Sequence, residues 1–377
     1  MRNRIVVTLK AIVANDESLK EELEACIVEA DWTPPGWDKP ISTLDDFYKY
    51  LTQLLDSTPV DATFDNFFHG LFYIISQRGN RLQKDKKFIE FQGWLAVFIE
   101  VYGSFMNTAE SANNLYSFLH DETFTMDNFE IIPGGFNCFN TFFSRHIKPG
   151  KRPIGTQTLP YEPPSEGNPL PPNPLEAQSL IHKNMCDDKV ITVPADSVYK
   201  GCWPISKNST ITVSKGNKYS IEELLQGSQY ADQFSNGLFT HSYLTVFTYH
   251  RYHVPVRGTV LETNVIAGQV FANVIKDDEG NLSATDGTGY QFKQDRGLIV
   301  LDSPIGLVAL LPIGMDFISS CNFSVDKGDY LNKGDEFGYF LFGGSDMIML
   351  FARNDIDIML PKTDKLYKLG QVFGKIK

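Results

Sequence analysis

The first third of the chain places apolar side chains at the spacing of amphipathic helices. Leu51, Leu54 and Leu55 stand at positions i, i+3 and i+4, and the aromatic run over residues 88–98 repeats that spacing. Side chains at such intervals lie on one face of a helix, where they can pack against a core. The pattern predicts a helical N-terminal domain over residues 1–130.

Two segments of different composition follow the helical pattern. Residues 131–155 form a basic joint, with five cationic or potentially cationic side chains between Arg145 and Arg152, and residues 156–178 are rich in proline. The basic joint is compatible with a solvated turn after a helix and with binding of phosphate or lipid headgroups. Proline lacks the N–H that a sheet ladder requires, so the second segment is predicted to be an extended linker or surface loop.

From residue 179 onwards the pattern changes to short apolar runs separated by Gly, Asp, Asn and Pro. Such runs are typical of strands, and their regular spacing is typical of an all-β barrel or sandwich. The clearest runs are residues 191–193, 210–213, 243–247, 297–301 and 306–311. The predicted fold class is therefore α+β, with a helical N-terminal domain followed by a mainly antiparallel, β-rich domain over residues 179–377.

One glycine-rich motif lies between two apolar runs near the C-terminus. Residues 339–342 and 347–351 predict buried strands, and the sequence Gly343-Gly344-Ser345 between them predicts a sharp turn. Such a motif is most often only the turn of a hairpin. It could be a reactive site if other segments place an acid or a base beside the Ser345 hydroxyl.

Composition and charge exclude several classes of function. The chain of 377 residues has 42% hydrophobic and 21% charged residues, as in ordinary globular proteins, and its net charge of −12 argues against nucleic-acid binding. No apolar run approaches the ~18 residues that span a bilayer. The five scattered cysteines form no Cys-x-x-Cys pair, which favours a reducing compartment and argues against a zinc site. We expect a cytoplasmic protein, soluble or peripherally associated with a membrane.

Three segments of the β-rich part contain the residue types of a nucleophilic triad. Asp196 follows a predicted strand, His250 and His253 share a polar segment, and Ser345 lies in the glycine-rich motif. An acid orients an imidazole in such a triad, and the imidazole takes the serine proton. The Gly-x-Ser-x-Gly elbow of hydrolases is absent, because Met347 stands in place of its last glycine. The two histidines have no obvious third ligand for a metal.

Four segments occur in a fixed order through the second half of the chain. They are Phe-Phe-Ser-Arg-His-Ile-Lys-Pro-Gly-Lys-Arg-Pro-Ile (142–154), Pro-Ala-Asp (194–196), Tyr-His-Arg-Tyr-His-Val-Pro-Val-Arg-Gly-Thr-Val (249–260) and Lys-Gly-Asp-Glu-Phe-Gly-Tyr-Phe-Leu-Phe-Gly-Gly-Ser (333–345). With them the chain resembles the phosphatidylserine decarboxylase family of pyruvoyl enzymes over most of residues 130–355. The N-terminal part, with Gly93-Trp94 and residues 103–111, is similar to the helical domain of the family's tryptophan-decarboxylase branch.

The resemblance implies self-cleavage between Gly344 and Ser345. Ser345 would attack the carbonyl carbon of Gly344, with His253 as general base and Asp196 orienting that histidine. The implied products are a β chain that ends at Gly344 and an α chain whose first residue becomes a pyruvoyl group. That group would act as the electron sink that pyridoxal phosphate supplies elsewhere, with His250 or His253 as proton donor. Neither a metal nor pyridoxal phosphate is expected.

The resemblance leaves the substrate open. The default is phosphatidylserine, giving phosphatidylethanolamine, whereas the helical N-terminal domain favours a free aromatic L-amino acid such as tryptophan, giving tryptamine. Ser197 and Thr248 stand where the family usually has Gly and Asp, which leaves the catalytic set intact. A β-rich binding protein that does not process itself is the third hypothesis. A peripheral membrane contact and a homo-oligomer are both compatible with the sequence.

Overall fold

The computed structural model describes residues 2–60, 64–156, 174–213, 216–245, 247–285, 289–315, 320–342 and 344–377. Most of the predicted proline-rich segment, and Gly343 of the glycine-rich motif, lie outside these residues. Helices occupy the N-terminal part of the described chain and strands most of the C-terminal part, which confirms the predicted α+β fold class.

The helices lie mainly in the N-terminal part of the chain. They are α1 (Arg4–Asn15), α2 (Glu17–Ala30), α3 (Leu44–Asp56), α4 (Phe64–Lys84), α5 (Ile89–Phe105), α6 (Leu115–Leu119), α7 (Phe139–Phe143), α8 (Pro174–Cys186) and α9 (Ile221–Leu224). Helix α4 is interrupted by non-helical backbone at residues 77–80.

Helix α3 illustrates how local sequence sets an element of this region. Thr43 Oγ1 accepts a hydrogen bond from the amide of Asp46, and the Asp46 carboxylate accepts one from the amide of Thr43, so two backbone donors at the start of the helix are satisfied. Leu51, Leu54 and Leu55 are fully buried at the helical spacing predicted from the sequence. Burial of each such side chain stabilises the fold by about 1.5–3 kcal/mol, so this face holds α3 in the helical core.

The strands form one large sheet and smaller sheets around it. They are β1 (Val190–Thr192), β2 (Ser197–Pro204), β3 (Thr210–Thr212), β4 (Lys218–Ser220), β5 (Leu238–Leu244), β6 (Arg251–His253), β7 (Gly258–Ile266), β8 (Val274–Lys276), β9 (Leu282–Ala284), β10 (Arg296–Ser303), β11 (Gly306–Met315), β12 (Cys321–Phe323), β13 (Tyr330–Leu331), β14 (Glu336–Phe340), β15 (Gly344–Phe351), β16 (Ile356–Ile358), β17 (Lys365–Tyr367) and β18 (Val372–Ile376). The large sheet has the strand order β13-β7-β10-β11-β15-β5-β2-β17, with every neighbouring pair antiparallel. The smaller sheets are β1-β18-β16, β12-β14-β6, β3-β4 and β8-β9.

The large sheet separates two hydrophobic cores. Along the central strand β15, Met347, Met349 and Phe351 belong to the core that also contains the N-terminal helices. Ile348 and Leu350 belong to the core on the other face. This alternation follows from the two-residue repeat of a strand. Strand β15 is therefore buried on both faces, which explains its continuous apolar run.

Buried hydrogen bonds connect helix α4 with the β-rich part. The Gln83 side chain donates to the carbonyl of Ala272 and accepts from the amide of the same residue. Ser76 Oγ accepts a hydrogen bond from the amide of Val274, the first residue of β8. Buried backbone groups require such partners, so these contacts fix the hairpin β8–β9 against α4.

The end of the predicted proline-rich linker differs from the expectation. Helix α8 begins at Pro174, so residues 174–178 are helical rather than extended. Proline is accepted at the first position of a helix because the N–H there has no intrahelical partner. Residues 157–173 lie outside the described chain, and the domain boundaries drawn from the sequence stay predictions.

Candidate active site

Ser345 is the second residue of strand β15, in the middle of the large sheet. It pairs with Gly314 of β11 on one side and with Leu244 of β5 on the other. Its side chain is fully buried, and its Oγ has no hydrogen-bond partner among the residues that the structure describes. A buried hydroxyl without a partner costs about 1–3 kcal/mol, so an unpaired Oγ beside Gly344 indicates a chemical rather than a structural use.

The sharp turn predicted around Gly344 and Ser345 is not found there. Strand β14 ends at Phe340 in the sheet with β6 and β12, whereas β15 begins at Gly344 in the large sheet. The two apolar runs are thus strands of different sheets rather than the arms of one hairpin. Gly344 and Ser345 are extended because both pair with β11.

His250 lies between β5 and β6, with its ring stacked on Phe143 at a centroid distance of 3.8 Å. The ring is fully buried, and neither nitrogen makes a hydrogen bond within the described chain. Burial, together with the nearby guanidinium of Arg145, lowers the pKa of His250 to about 3. The imidazole is therefore neutral over the physiological range, and both nitrogens are available to a reacting group.

His253 is the last residue of strand β6, and both of its ring nitrogens have partners. Nδ1 lies 2.8 Å from the carbonyl oxygen of Gly334, and Nε2 lies 3.1 Å from the hydroxyl of Tyr249. Because a carbonyl only accepts, Nδ1 carries the hydrogen and Nε2 accepts from Tyr249. Burial lowers the pKa of His253, which favours this neutral tautomer, and its Nε2 lone pair is suited to take a proton from a hydroxyl.

Asp196 is buried in an ion pair with Arg152. Arg152 Nε donates to Oδ1 at 2.9 Å, its Nη2 donates to Oδ2, and the amide of Leu369 donates to Oδ1 at 2.8 Å. Lys368 Nζ lies 3.5 Å from Oδ2. Burial alone would raise the pKa of Asp196, but the charge and hydrogen bonds of Arg152 hold it below its usual value. The carboxylate is therefore ionised at neutral pH.

Asp196, expected to orient His253, makes no hydrogen bond to its ring, and the orienting role stays a prediction. Both ring nitrogens of His253 have other partners, and the Asp196 carboxylate bonds to Arg152 instead. The two segments still meet, because the amide of His253 donates to the carbonyl of Pro194 at 2.8 Å. The hydrogen bond to Gly334 and the charge of Glu336 oppose the effect of burial on the pKa of His253, and the charge of Asp196 adds to them.

The two arginines of the basic joint are buried, whereas residues 148–150 between them form an exposed turn, as the solvated-turn alternative expects. Arg145 is 1% exposed, its guanidinium lies 4.2 Å from the centre of the Phe129 ring, and its Nη2 donates to the carbonyl of Phe247. Arg152 is buried against Asp196. A buried guanidinium needs acceptors and aromatic faces around it, and here most of them come from distant segments.

Hydrogen bonds join the four sequence segments on which the family resemblance rests. The first segment reaches the second through the Arg152–Asp196 ion pair, and the second reaches the third through the amide of His253. The fourth reaches the third through the amide of Phe340, which donates to the carbonyl of His250 at 2.9 Å. The structure therefore gathers the predicted acid and both histidines around β6, and Gly344 comes four residues after Phe340 in the chain.

A buried polar cluster on the opposite face of the sheet was not predicted from the sequence. Asp346 Oδ2 accepts hydrogen bonds from the Tyr290 hydroxyl and from Gln291 Nε2, and it lies 3.1 Å from His241 Nε2. Because side chains alternate along a strand, Asp346 faces away from Ser345. A usable signal was the acid inside the apolar run of β15, since a buried strand can hold an acid only with partners.

The described part of the chain contains neither a metal-ligand cluster nor a membrane-spanning helix. Within it, no three His, Cys, Asp or Glu side chains are grouped so that they could hold a metal ion. None of its helices combines the length and the apolar character that crossing a bilayer requires.

Known proteins match the part of the chain that contains these residues. The sequence model of a family described as phosphatidylserine decarboxylase matches residues 139–375. The chain is 31% identical over 263 residues to phosphatidylserine decarboxylase proenzyme 2 of Oryza sativa subsp. japonica, which is 68% of this chain and 36% of the rice protein. It is 29% identical over 273 residues to the phosphatidylserine decarboxylase proenzyme of Shewanella sediminis, which is 65% of this chain and 80% of that protein.

The name of a further relative does not mention a phospholipid. Decarboxylase iboD of Amanita muscaria is 28% identical over 253 residues, which are 62% of this chain and 63% of that protein. The chain thus spans only about a third of the rice protein's length and less than two thirds of the length of iboD. All three names include decarboxylase, and two of them include proenzyme.

Proposed function

This chain belongs to the phosphatidylserine decarboxylase family, and we propose that it is a self-processing carboxy-lyase that removes the α-carboxylate of an amino-acid group as CO2. The proposal rests above all on Ser345, whose buried Oγ has no hydrogen-bond partner within the described chain and adjoins Gly344. Such an oxygen is available to attack the peptide bond before it. The proenzyme names of two relatives support a precursor that is cut into two chains.

The proposed cut falls between Gly344 and Ser345. Ser345 Oγ attacks the carbonyl carbon of Gly344, an ester bond to Oγ forms, and the C–N bond breaks as the nitrogen takes a proton. Loss of the Cα proton of residue 345 then breaks its Cβ–Oγ bond and leaves a carboxylate on Gly344, the end of the β chain. Water replaces the nitrogen of residue 345, which departs as ammonia and leaves a pyruvoyl group at the start of the α chain.

We assign His253 as the base that takes the Ser345 proton. Its Nδ1 is held by the carbonyl of Gly334, so the lone pair on Nε2 is the available acceptor. Tyr249 covers this lone pair before the reaction, and the Ser345 hydroxyl has to displace it. The hydrogen bond to Gly334 and the charges of Glu336 and Asp196 favour the imidazolium, which partly offsets the burial that disfavours a charged ring.

A pyruvoyl group fits the position of Ser345, because a buried side chain without hydrogen-bond partners would shield a ketone from bulk water. Once formed there, the group would supply a ketone for the substrate amine and an electron sink for the bond to the departing carboxylate. We assign His250 as the residue that holds the proton which replaces CO2. Its neutral ring still has one N–H to donate.

Phosphatidylserine, giving phosphatidylethanolamine, is the substrate that we propose first, because the family and two of its relatives are named for it. A peripheral contact with a membrane would accompany that substrate. The second candidate is a free aromatic L-amino acid such as tryptophan, giving tryptamine. It is favoured by the helical N-terminal part and by the relative iboD, whose name includes no phospholipid.

Self-cleavage is tested on a denaturing gel and by intact mass. The wild-type chain should give two fragments, residues 1–344 and 345–377, and Ser345→Ala should remain one chain of 42.5 kDa. The shorter fragment should lack a free N-terminal amine, because the pyruvoyl group replaces it. A wild-type chain that stays uncut and releases no CO2 would overturn the proposal and leave the binding protein that does not process itself.

Release of CO2 from the purified, cleaved protein separates the two substrates. Phosphatidylserine in detergent micelles and free tryptophan are supplied at equal concentration, with Ser345→Ala as the control for both. Turnover of phosphatidylserine alone supports the first candidate. Turnover of tryptophan alone replaces it with the second candidate, and the self-cleaving decarboxylase stands in either case.

A further inference from the structure

Phe342 fills an aromatic socket two residues before the proposed scissile bond. The rings that form this Phe342 socket, with centroid distances of 5.2, 5.7, 6.0 and 6.0 Å to Phe342, are those of Phe139, Phe143, Phe68 and Tyr102. All four contacts are edge-to-face, an arrangement that the charge distribution of aromatic rings favours. Phe342 is only 4% exposed, so its ring is held from several sides.

Hydrogen bonds hold the backbone of Phe342 at the same place. Its amide donates to Asn140 Oδ1 at 2.9 Å. Asn140 is itself buried and fixed, because its Nδ2 donates to Asn107 Oδ1 at 3.0 Å and its amide donates to the carbonyl of Met106 at 3.1 Å. Ring and backbone contacts together therefore set the position of Phe342.

Half of the Phe342 socket comes from outside the part of the chain that matches the family. Phe68 lies on α4 and Tyr102 lies on α5, and both precede residue 139, where the family match begins. Phe139 and Phe143 are the first and last residues of α7, within the match. The helical N-terminal part thus contacts the chain immediately before β15.

The Phe342 socket also touches a proposed catalytic residue. Phe143 stacks on His250 at 3.8 Å and meets Phe342 edge-to-face at 5.7 Å. Beyond the socket, Ser345 is fixed by its pairing with β11 and β5. The carbonyl of Gly344 therefore lies between two anchors, the socket on one side and the large sheet on the other.

We propose that the helical N-terminal part belongs to the self-cleavage apparatus, with Phe342 as a positioning residue that presents the carbonyl of Gly344 to Ser345 Oγ. The inference rests on the self-cleavage proposed above. Two glycines separate Phe342 from Ser345, and glycine restricts the backbone least of all residues. Since a displacement of about 1 Å can slow an intramolecular reaction about 100-fold, an anchor at Phe342 would help to fix the position of the Gly344 carbonyl.

The full chain is made by cell-free synthesis, and its cleavage is then followed over time on denaturing gels. Phe342→Leu and Phe68→Leu each remove one ring of the contact, and each should slow the appearance of fragment 345–377 by about 10- to 100-fold. Phe351→Leu is the matched control, because Phe351 is fully buried at the opposite end of the same strand β15. This control should lose similar thermal stability and cleave at the wild-type rate.

Two further measurements separate positioning from a general loss of folding. Phe342→Tyr keeps the ring and should recover most of the wild-type cleavage rate. At neutral pH hydroxylamine cuts esters much faster than peptide bonds, so it should release fragment 345–377 from wild-type samples early in the time course. At the same time point it should release about 10- to 100-fold less from Phe342→Leu, in which the ester forms more slowly.

Each alternative outcome has a definite meaning. Equal cleavage rates in Phe342→Leu and Phe351→Leu, whether both normal or both slow, would overturn the inference. Cleavage of Phe68→Leu at the wild-type rate would overturn the role proposed for the helical N-terminal part. A wild-type chain that is never cut would remove the proposed function itself, and with it the inference, which is a different result on the same gel.

Discussion

The Nε2 atom of His241 lies 3.1 Å from Oδ2 of Asp346, and both side chains are fully buried. Asp346 directly follows Ser345 in the chain, yet it projects to the opposite face of the large sheet. Neighbouring residues thus have separate tasks in the proposed reaction. Ser345 reacts, and Asp346 ties the start of the new α chain to β5 and to residues 290–291, so that the chain stays in place after the cut.

Replacement of Asp346 by Ala should destabilise the protein without preventing self-cleavage. The change withdraws an acceptor from Tyr290 and Gln291 in the interior, where each donor that is left without an acceptor costs about 1–3 kcal/mol. Urea unfolding should show this loss, and a double-mutant cycle with His241→Ala should give a coupling energy of about 0.5–3 kcal/mol. Additive losses would contradict the coupling, and an uncut Asp346→Ala chain would contradict the separate tasks of the two faces.

Breaking the Arg152–Asp196 ion pair from either side should be strongly destabilising. Both side chains are almost fully buried, so removal of one leaves the other charge without its main partner, which lowers the free energy of unfolding by up to about 3–5 kcal/mol. Arg152→Met and Asp196→Asn should both lower the urea midpoint. If the charge of Asp196 also supports His253, Asp196→Asn should slow cleavage more than Arg152→Met does. Equal cleavage rates at equal stability would contradict that electrostatic role.

The sequence predicted the site residues that lie in short motifs, but not the contacts between residues that are far apart in the chain. Asp196, His253 and Ser345 each lie in a short motif, and that sufficed to select them. The partner of Asp196 was not assigned, because Arg152 lies 44 residues away in a basic segment that suited a solvated turn equally well. The apolar runs around Gly344 predicted a hairpin, because a local pattern does not say which sheet a strand joins.

The fold class was predictable because it depends on local patterns. The strand order was not, because it depends on pairing between distant segments. Helical spacing in α3 and short apolar runs such as β15 are local patterns, and they fixed the α+β assignment. The neighbours of β15 are β11 and β5, which come from distant parts of the chain. The Phe342 socket depends on still longer separations, since Phe68 and Phe342 meet only in the folded protein.

Acidification below about pH 6.5 should destabilise the protein through His250. Burial and Arg145 lower its pKa to about 3, with Asp196 opposing them, so an unfolded chain with a histidine pKa near 6.5 binds a proton that the folded chain excludes. Stability is therefore lost as the pH falls from about 6.5 towards 3, by about 1.4 kcal/mol per pH unit for this group.

His250→Phe is the variant that isolates this effect. It keeps an aromatic ring against Phe143 and removes the titrating group. The urea midpoint of the variant should fall less than that of the wild type between about pH 6.5 and pH 5, where Asp196 remains ionised in both. An equal fall in the two proteins would contradict a buried, neutral His250.

Tyr249→Phe should show whether the tautomer of His253 depends on the Tyr249 hydroxyl. Tyr249 donates to Nε2 at 3.1 Å, whereas the tautomer is set at Nδ1 by the carbonyl of Gly334 at 2.8 Å. Loss of the hydroxyl leaves that tautomer unchanged and uncovers the Nε2 lone pair. One neutral hydrogen bond contributes about 1 kcal/mol, so the Tyr249→Phe chain should cleave within about fivefold of the wild-type rate.

The cleavage of Tyr249→Phe is to be compared with that of His253→Ala. The latter removes the proposed base and should leave the chain uncut on the same gel. General bases contribute about 10²- to 10⁴-fold to a rate, well beyond the expected effect of Tyr249→Phe. If the two variants are equally inactive, the phenol of Tyr249 itself moves the proton and His253 only orients it. If Tyr249→Phe cleaves and His253→Ala does not, Nε2 of His253 is the acceptor.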